Sequence, residues 1–63
     1  MKGVIGTILD KEGIQYAEIV EDDETKELWI YFHAFGVRTA TIQVHSKEEA
    51  FDCIETAYHI NSM

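Results

Sequence analysis

The spacing of hydrophobic residues changes once along this chain, near residue 45, and that change limits the folds open to it. Residues 1–44 alternate apolar and polar side chains in short runs, which is typical of β-strands. Residues 46–60 repeat apolar side chains at intervals of three and four, which indicates one amphipathic helix. Because the chain has 63 residues, we expect a single small domain spanning residues 1–63.

Four strands are predicted from the apolar runs and from the turn residues that separate them. Gly13 lies between two runs and suits the positive φ of a tight turn, and Gly36 marks a second short turn. Connections this short join neighbouring antiparallel strands. We predict an α+β fold, ββββα, in which a four-stranded antiparallel meander carries one C-terminal helix on one face. The strands are predicted at residues 4–9, 14–20, 27–35 and 37–44.

The helix is predicted at about residues 46–60. Ser46 and Glu49 match a capping box, in which the hydroxyl caps the helix and the glutamate reaches back. The buried stripe would consist of Ala50, Phe51, Ile54, Ala57 and Tyr58. The predicted core combines strand and helix residues: Ile5 or Ile8, Ile19, Ile30 or Phe32, Ile42, Phe51, Ile54 and Tyr58.

The third predicted strand is apolar on both faces, and one helix can cover only one of them. Its second face carries large aromatic side chains, whose exposure is costly in a small domain. We expect this face to be buried by a second copy or to dock a different partner; strong sheet curvature or a misplaced strand are the alternatives. The predicted oligomer or docking face consists of Trp29, Tyr31, His33 and Phe35. Edge pairing by an outer strand is another route to a homodimer or higher oligomer.

Twelve acidic residues against five basic ones give the chain a net charge of −7. This balance disfavours binding to a phosphate backbone, which depends on Lys and Arg. Half of the acids fall within ten residues, and we predict that they bind a partner with a basic surface. A solvated hairpin loop and a Ca²⁺ site are the alternatives, although the spacing is not that of an EF-hand. The acids are Glu18, Glu21, Asp22, Asp23, Glu24 and Glu27.

The sequence offers no strong catalytic or metal-binding motif. Cys53 and the three histidines lack the close spacing of zinc ligands, and neither a glycine-rich phosphate loop nor a G-x-S-x-G elbow occurs. We therefore predict no enzymatic activity, no cofactor and no metal. A lone cysteine, together with the lack of an apolar run of about 20 residues, predicts a cytoplasmic protein without a membrane span.

Two local resemblances bear on these predictions. Ser46–Ala50, following a strand, resembles the T-x-E-E-A strand-to-helix entry of HicB-type antitoxins over about a dozen residues. The Gly-Asp pair that precedes this entry in that family is absent, and no function is transferred. Strands followed by one helix are similar to the fold of single-strand-binding transcriptional coactivators, which dimerise. That likeness implies an alternative function, an oligomeric nucleic-acid or small-ligand binding protein that uses the aromatic face.

The leading hypothesis from the sequence is a small acidic, non-enzymatic protein-binding module. Small size, high negative charge and surplus apolar sheet surface are similar in style to phage and mobile-element anti-defence proteins, including anti-CRISPR inhibitors. This likeness implies an inhibitor or regulator of a nucleic-acid-handling or host-defence protein, acting in the host cytoplasm if phage-encoded. Direct nucleic-acid binding is disfavoured by the charge.

Overall fold

The computed structural model describes residues 1–59 and has the predicted ββββα architecture. Its four strands form one antiparallel sheet in the order β1-β2-β3-β4, so each strand lies beside its neighbour in sequence. One helix, α1, follows the sheet and packs on one of its faces. The elements are β1 Lys2–Leu9, β2 Gln15–Asp22, β3 Leu28–Ala34, β4 Val37–Val44 and α1 Lys47–Tyr58.

The β3–β4 connection is a two-residue hairpin turn. Ala34 pairs with Val37, and the residues between them, Phe35 and Gly36, both have positive φ, at 54° and 78°. Two positive φ angles define the primed turn that matches the right-handed twist of a hairpin. Phe35, predicted as the last residue of the third strand, therefore lies in the turn instead.

Helix α1 begins as its capping box predicts. The Ser46 hydroxyl accepts a hydrogen bond from the Glu49 N–H at 3.0 Å, and the Glu49 carboxylate accepts one from the His45 N–H at 2.8 Å. The helix ends at Tyr58 because His59 adopts φ 55° and donates its N–H to the Glu55 carbonyl. The predicted helix extended to residue 60, which lies outside the described residues.

The core lies between the sheet and α1, and it includes predicted and unpredicted residues. Ile19, Ile30, Phe32 and Ile54 are buried as predicted, and Ile8 and Tyr58 pack partly against them. The remaining buried members of this cluster are Ala17, Leu28, Val44 and Ala50.

Two predicted core residues, Ile42 and Phe51, keep 43% and 48% of their surface exposed, so their assignment was wrong. Of the predicted pair Ile5 or Ile8, the residue that packs against the core is Ile8, and Ile5 is 44% exposed. Ile5 is the unpaired residue of a bulge in the edge strand β1, and Ile42 lies on the opposite edge strand, β4. A helix of only 12 residues covers the middle of the sheet and leaves these edges open.

Candidate partner-binding surface

The sheet surface opposite α1, which we call the open face, carries the aromatic side chains of β2 and β3. Side chains alternate between the two faces of a strand, so those flanking the buried Ile19 and Ile30 point away from the helix. Cross-strand pairing places them opposite one another in three pairs. These pairs are Tyr16 with His33, Glu18 with Tyr31, and Val20 with Trp29.

Two cationic side chains of the chain lie over aromatic rings of its own open face. The Lys2 ammonium lies 4.3 Å from the centre of the Trp29 ring, and the Arg38 guanidinium lies 4.3 Å from the centre of the Tyr31 ring. Both rings are half-buried. Cations over aromatic faces stabilise a surface while shielding it from water. Val20 is only 3% exposed although it is not part of the helix-facing cluster, so this face has a small packed centre of its own.

His33 and Glu18 form the polar part of the open face. The His33 Nε2 and the Glu18 Oε1 are 2.9 Å apart, and the imidazole stacks on Tyr16 with ring centres 4.5 Å apart. The two side chains are only 12% and 27% exposed. Glu18, predicted as a partner-binding acid, is thus engaged within the open face and separated from the acids near the β2–β3 turn.

Phe35 is the most exposed aromatic side chain of the predicted docking face. Its φ of 54° lies in the left-handed region, which a bulky residue occupies at a cost, and 82% of its surface is accessible. No burial offsets that strain. Because strained, exposed residues concentrate at functional positions, Phe35 is a candidate contact residue at the tip of the β3–β4 hairpin.

Five of the predicted partner-binding acids lie at one end of the sheet. We call this set the acidic end. Carboxylate oxygens of Asp22, Asp23 and Glu24 lie within 4.8 Å of one another. The Met1 ammonium lies 2.8 Å from Asp23, 3.5 Å from Glu24 and 3.9 Å from Asp22. Its hydrogen bond to Asp23 is the main reason that the pKa of the Met1 ammonium is raised. The acidic end comprises Glu21, Asp22, Asp23, Glu24 and Glu27.

Asp22 has a structural role that the sequence analysis missed. Its carboxylate accepts hydrogen bonds from the N–H groups of Glu24 at 2.9 Å and Thr25 at 3.3 Å, and these bonds lower the pKa of Asp22. Asp22 therefore caps the β2–β3 turn, as aspartate commonly does. The Glu27 carboxylate accepts hydrogen bonds from Thr25 and Gln43.

Asp23 and Glu24 are the acids most available to a partner. Their side chains are 68% and 82% exposed, and they project from the turn that Asp22 caps. Glu21 lies beside them at the end of β2 and is half-buried. The acidic end is thus a turn that Asp22 holds in place and from which the carboxylates of Asp23 and Glu24 extend into solvent.

An open apolar groove on the helix side was not predicted. It has a volume of about 580 Å³ and lies between α1 and the part of the sheet next to the β3–β4 hairpin. Phe32, Ala40 and Ile42 form one wall, and Cys53 and Ala57 form the other. Tyr58 lies at one end; its buried hydroxyl has no hydrogen-bond partner among the described residues. Burial, and then the charge of Asp10, raise the pKa of Tyr58.

Two further observations bear on the class of protein. Across residues 1–59, no helix has the length and apolar character needed to cross a membrane. Comparisons with protein-family models, with curated proteins and with solved structures found no match to this chain.

Proposed function

We propose that this chain is a small acidic, non-enzymatic protein-binding module whose acidic end docks on a basic surface of another protein. The observation that carries the proposal is the display of Asp23 and Glu24 on a turn fixed by Asp22. Carboxylates held at one end of a chain of net charge −7 attract a basic partner and steer its approach.

Aromatic side chains next to the acidic end supply the apolar part of the proposed contact. Trp29 pairs with Val20, two residues before Asp22 on the same face of β2, so the ring and the acidic end adjoin. Interfaces gain most of their affinity from a few such aromatic anchors, and charged rims add steering. Phe35 offers a second exposed ring at the hairpin tip.

A basic surface that attracts this end is of the kind that nucleic-acid-handling proteins use to bind phosphates. We therefore propose an inhibitor or regulator that occludes such a surface, in the style of phage or mobile-element anti-defence proteins. The proposed setting is the cytoplasm of the cell that contains the partner. We further propose that the module acts as a homodimer or higher oligomer.

The test compares protein capture by wild type and two triple variants. The acidic-end variant carries Glu21→Gln, Asp23→Asn and Glu24→Gln, and it keeps Asp22 because that residue caps the turn. The control carries the same loss of three charges at exposed positions elsewhere: Glu12→Gln, Glu48→Gln and Glu55→Gln.

Each protein is used as bait in a lysate of its native host, and bound proteins are quantified by mass spectrometry. The proposal expects a basic protein that wild type and the control enrich and the acidic-end variant loses. Equal recovery by all three baits, or enrichment of no protein, contradicts it.

The competing function is direct binding of single-stranded nucleic acid on the open face. It is favoured by the position of Lys2 and Arg38, two of the five cationic residues, over the Trp29 and Tyr31 rings. This binding requires both cations to leave the ring faces that they cover, so that bases stack on the rings while the cations contact phosphates. Fluorescence anisotropy with a labelled oligothymidine at low salt separates the two functions, because the protein-binding proposal expects no binding.

A further inference from the structure

The Lys2 side chain lies across the open face and ends over the Trp29 ring. Lys2 begins β1 and pairs with Asp22, whereas Trp29 lies two strands away on β3, so the side chain crosses β2 to reach the ring. Its ammonium is 4.3 Å from the ring centre. Val20, the β2 residue that pairs with Trp29, is only 3% exposed. The apolar stem of a lysine can cover such surface while its charged end stays in contact with water.

The Lys2 ammonium also acts on the acidic end. Its charge is one of the causes that lower the pKa of Asp22, after the hydrogen bonds from the turn N–H groups. The Met1 ammonium holds the two exposed acids, Asp23 and Glu24, at 2.8 and 3.5 Å. The ring and the carboxylates that we propose as partner contacts are therefore each occupied by a cation of the chain itself.

These two internal contacts indicate the chemistry of the partner. An aromatic ring face and a pair of carboxylates both attract cations. Two adjacent residues of this chain reach both positions, so neighbouring basic residues of one extended partner segment can do the same. A segment rich in Arg fits best, because guanidinium groups stack on aromatic rings and bind carboxylates with two hydrogen bonds.

Any such segment must displace the cations that already occupy these positions. A ligand that binds only the open form of a site has an apparent affinity reduced by the fraction of molecules in that form. An exposed contact between a cation and an aromatic ring favours the closed form by about threefold. The Lys2 contact therefore weakens binding to a basic segment by a measurable factor.

We infer that Lys2 is an autoinhibitory cation, which competes with an arginine-rich segment of the partner for the Trp29 ring and the adjoining acidic end. The inference rests on the proposed function, whose contact surface it shares. It adds the chemistry by which the partner is recognised and a residue of this chain that opposes binding. Removal of the Lys2 charge then strengthens the binding of a basic segment.

The test measures the fluorescence anisotropy of a labelled oligoarginine peptide with wild type, Lys2→Gln and Lys11→Gln at low salt. Both substitutions remove one positive charge at an exposed lysine. Lys11 is the matched control because it lies in the β1–β2 turn, at the end of the sheet opposite the acidic end. The acidic-end variant described above is the negative control. Circular dichroism verifies that each variant folds.

We expect Lys2→Gln to bind the peptide about threefold more tightly than Lys11→Gln, and the acidic-end variant to bind it most weakly. Equal binding by Lys2→Gln and Lys11→Gln overturns the inference, and so does a peptide that binds none of the proteins. If labelled oligothymidine binds wild type and only Lys2→Gln weakens that binding, Lys2 contacts phosphates instead, which also overturns the inference.

Acrylamide quenching of Trp29, the single tryptophan of the chain, tests the Lys2 contact without any partner. Quenching must increase in Lys2→Gln and stay at the wild-type value in Lys11→Gln. Equal quenching of all three proteins overturns the inference.

The inference and the proposed function fail in different ways. Peptide binding that the acidic-end variant loses, but that Lys2→Gln does not strengthen, overturns the autoinhibition and leaves the docking site in place. A failure of lysate capture alongside the expected peptide results overturns the protein-binding function, and the competition between Lys2 and a basic peptide stands.

Discussion

Val20→Ala tests whether the open face is a packed surface in the isolated chain. Val20 is 3% exposed and lies outside the helix-facing cluster, so its burial comes from the open face itself. The substitution removes two methyl groups, worth about 0.8 kcal/mol each on burial. A small term for the cavity left behind brings the expected loss of unfolding free energy to about 2 kcal/mol.

Val4→Ala is the matched control for this measurement. Val4 is the cross-strand partner of Val20 on β1, and the same two methyl groups are removed, but Val4 is 53% exposed. About half of its transfer free energy is therefore at stake, and the expected loss is below about 1 kcal/mol. A domain of this length has a total unfolding free energy of roughly 3–9 kcal/mol, so both effects are measurable.

Urea unfolding gives the loss of unfolding free energy for both variants. Far-ultraviolet circular dichroism follows the helical signal of α1, which lies on the face opposite both substitutions. Trp29 fluorescence provides a second probe, whose agreement verifies two-state unfolding. If Val20→Ala costs no more than Val4→Ala, the open face is not packed in the free chain and its aromatic residues need a partner to bury them.

Four further substitutions test individual features of the structure, each by thermal or urea unfolding. Ile54→Ala, at a residue with no exposed surface, should cost about 2–5 kcal/mol because it leaves a cavity between α1 and the sheet. Ser46→Ala should cost about 1 kcal/mol by removing the helix cap, and a loss below a few tenths contradicts that role. Phe35→Asn should add up to about 1 kcal/mol by relieving positive φ, and it should weaken partner capture if the ring is a contact. Asp22→Ala should lower the Tm at pH 7 more than Asp22→Asn. Turn N–H groups lower the pKa of Asp22 in the folded protein. The stability that its carboxylate contributes is therefore present above the pKa of the unfolded carboxyl group and is lost as pH falls through the folded pKa. An identical acid dependence of Tm in wild type and Asp22→Asn contradicts this.

The order and type of the elements could be predicted because the periodicity of the chain is unambiguous. Ser46 and Glu49 specify the helix start by local chemistry alone. The burial of the misassigned core residues depends on how much of the sheet the short helix covers. The local spacing of apolar residues carries no information about that coverage. Ile42 and Phe51 fit apolar positions of their elements and are exposed because the helix covers only the centre of the sheet.

The candidate surface was predicted in part. The acids of the β2–β3 turn are visible as a run in the sequence, but the capping role of Asp22 depends on turn geometry. The pairing of Glu18 with His33 joins residues 15 positions apart and follows from strand register, which short apolar runs do not fix. The cover that Lys2 and Arg38 give the aromatic rings also depends on register, since both cations come from the edge strands.

The association rate between this protein and its captured partner tests the central proposal most directly. Surface charges act mainly on the rate of association, and their range falls from about 30 Å at 0.01 M salt to about 3 Å at 1 M. We predict that the acidic-end variant, Glu21→Gln with Asp23→Asn and Glu24→Gln, associates at least tenfold more slowly than wild type at low salt. The two rates should converge at high salt, and the variant of Glu12, Glu48 and Glu55 should stay close to wild type throughout. Equal association rates for wild type and the acidic-end variant at low salt would contradict the proposal that the acidic end is the docking site.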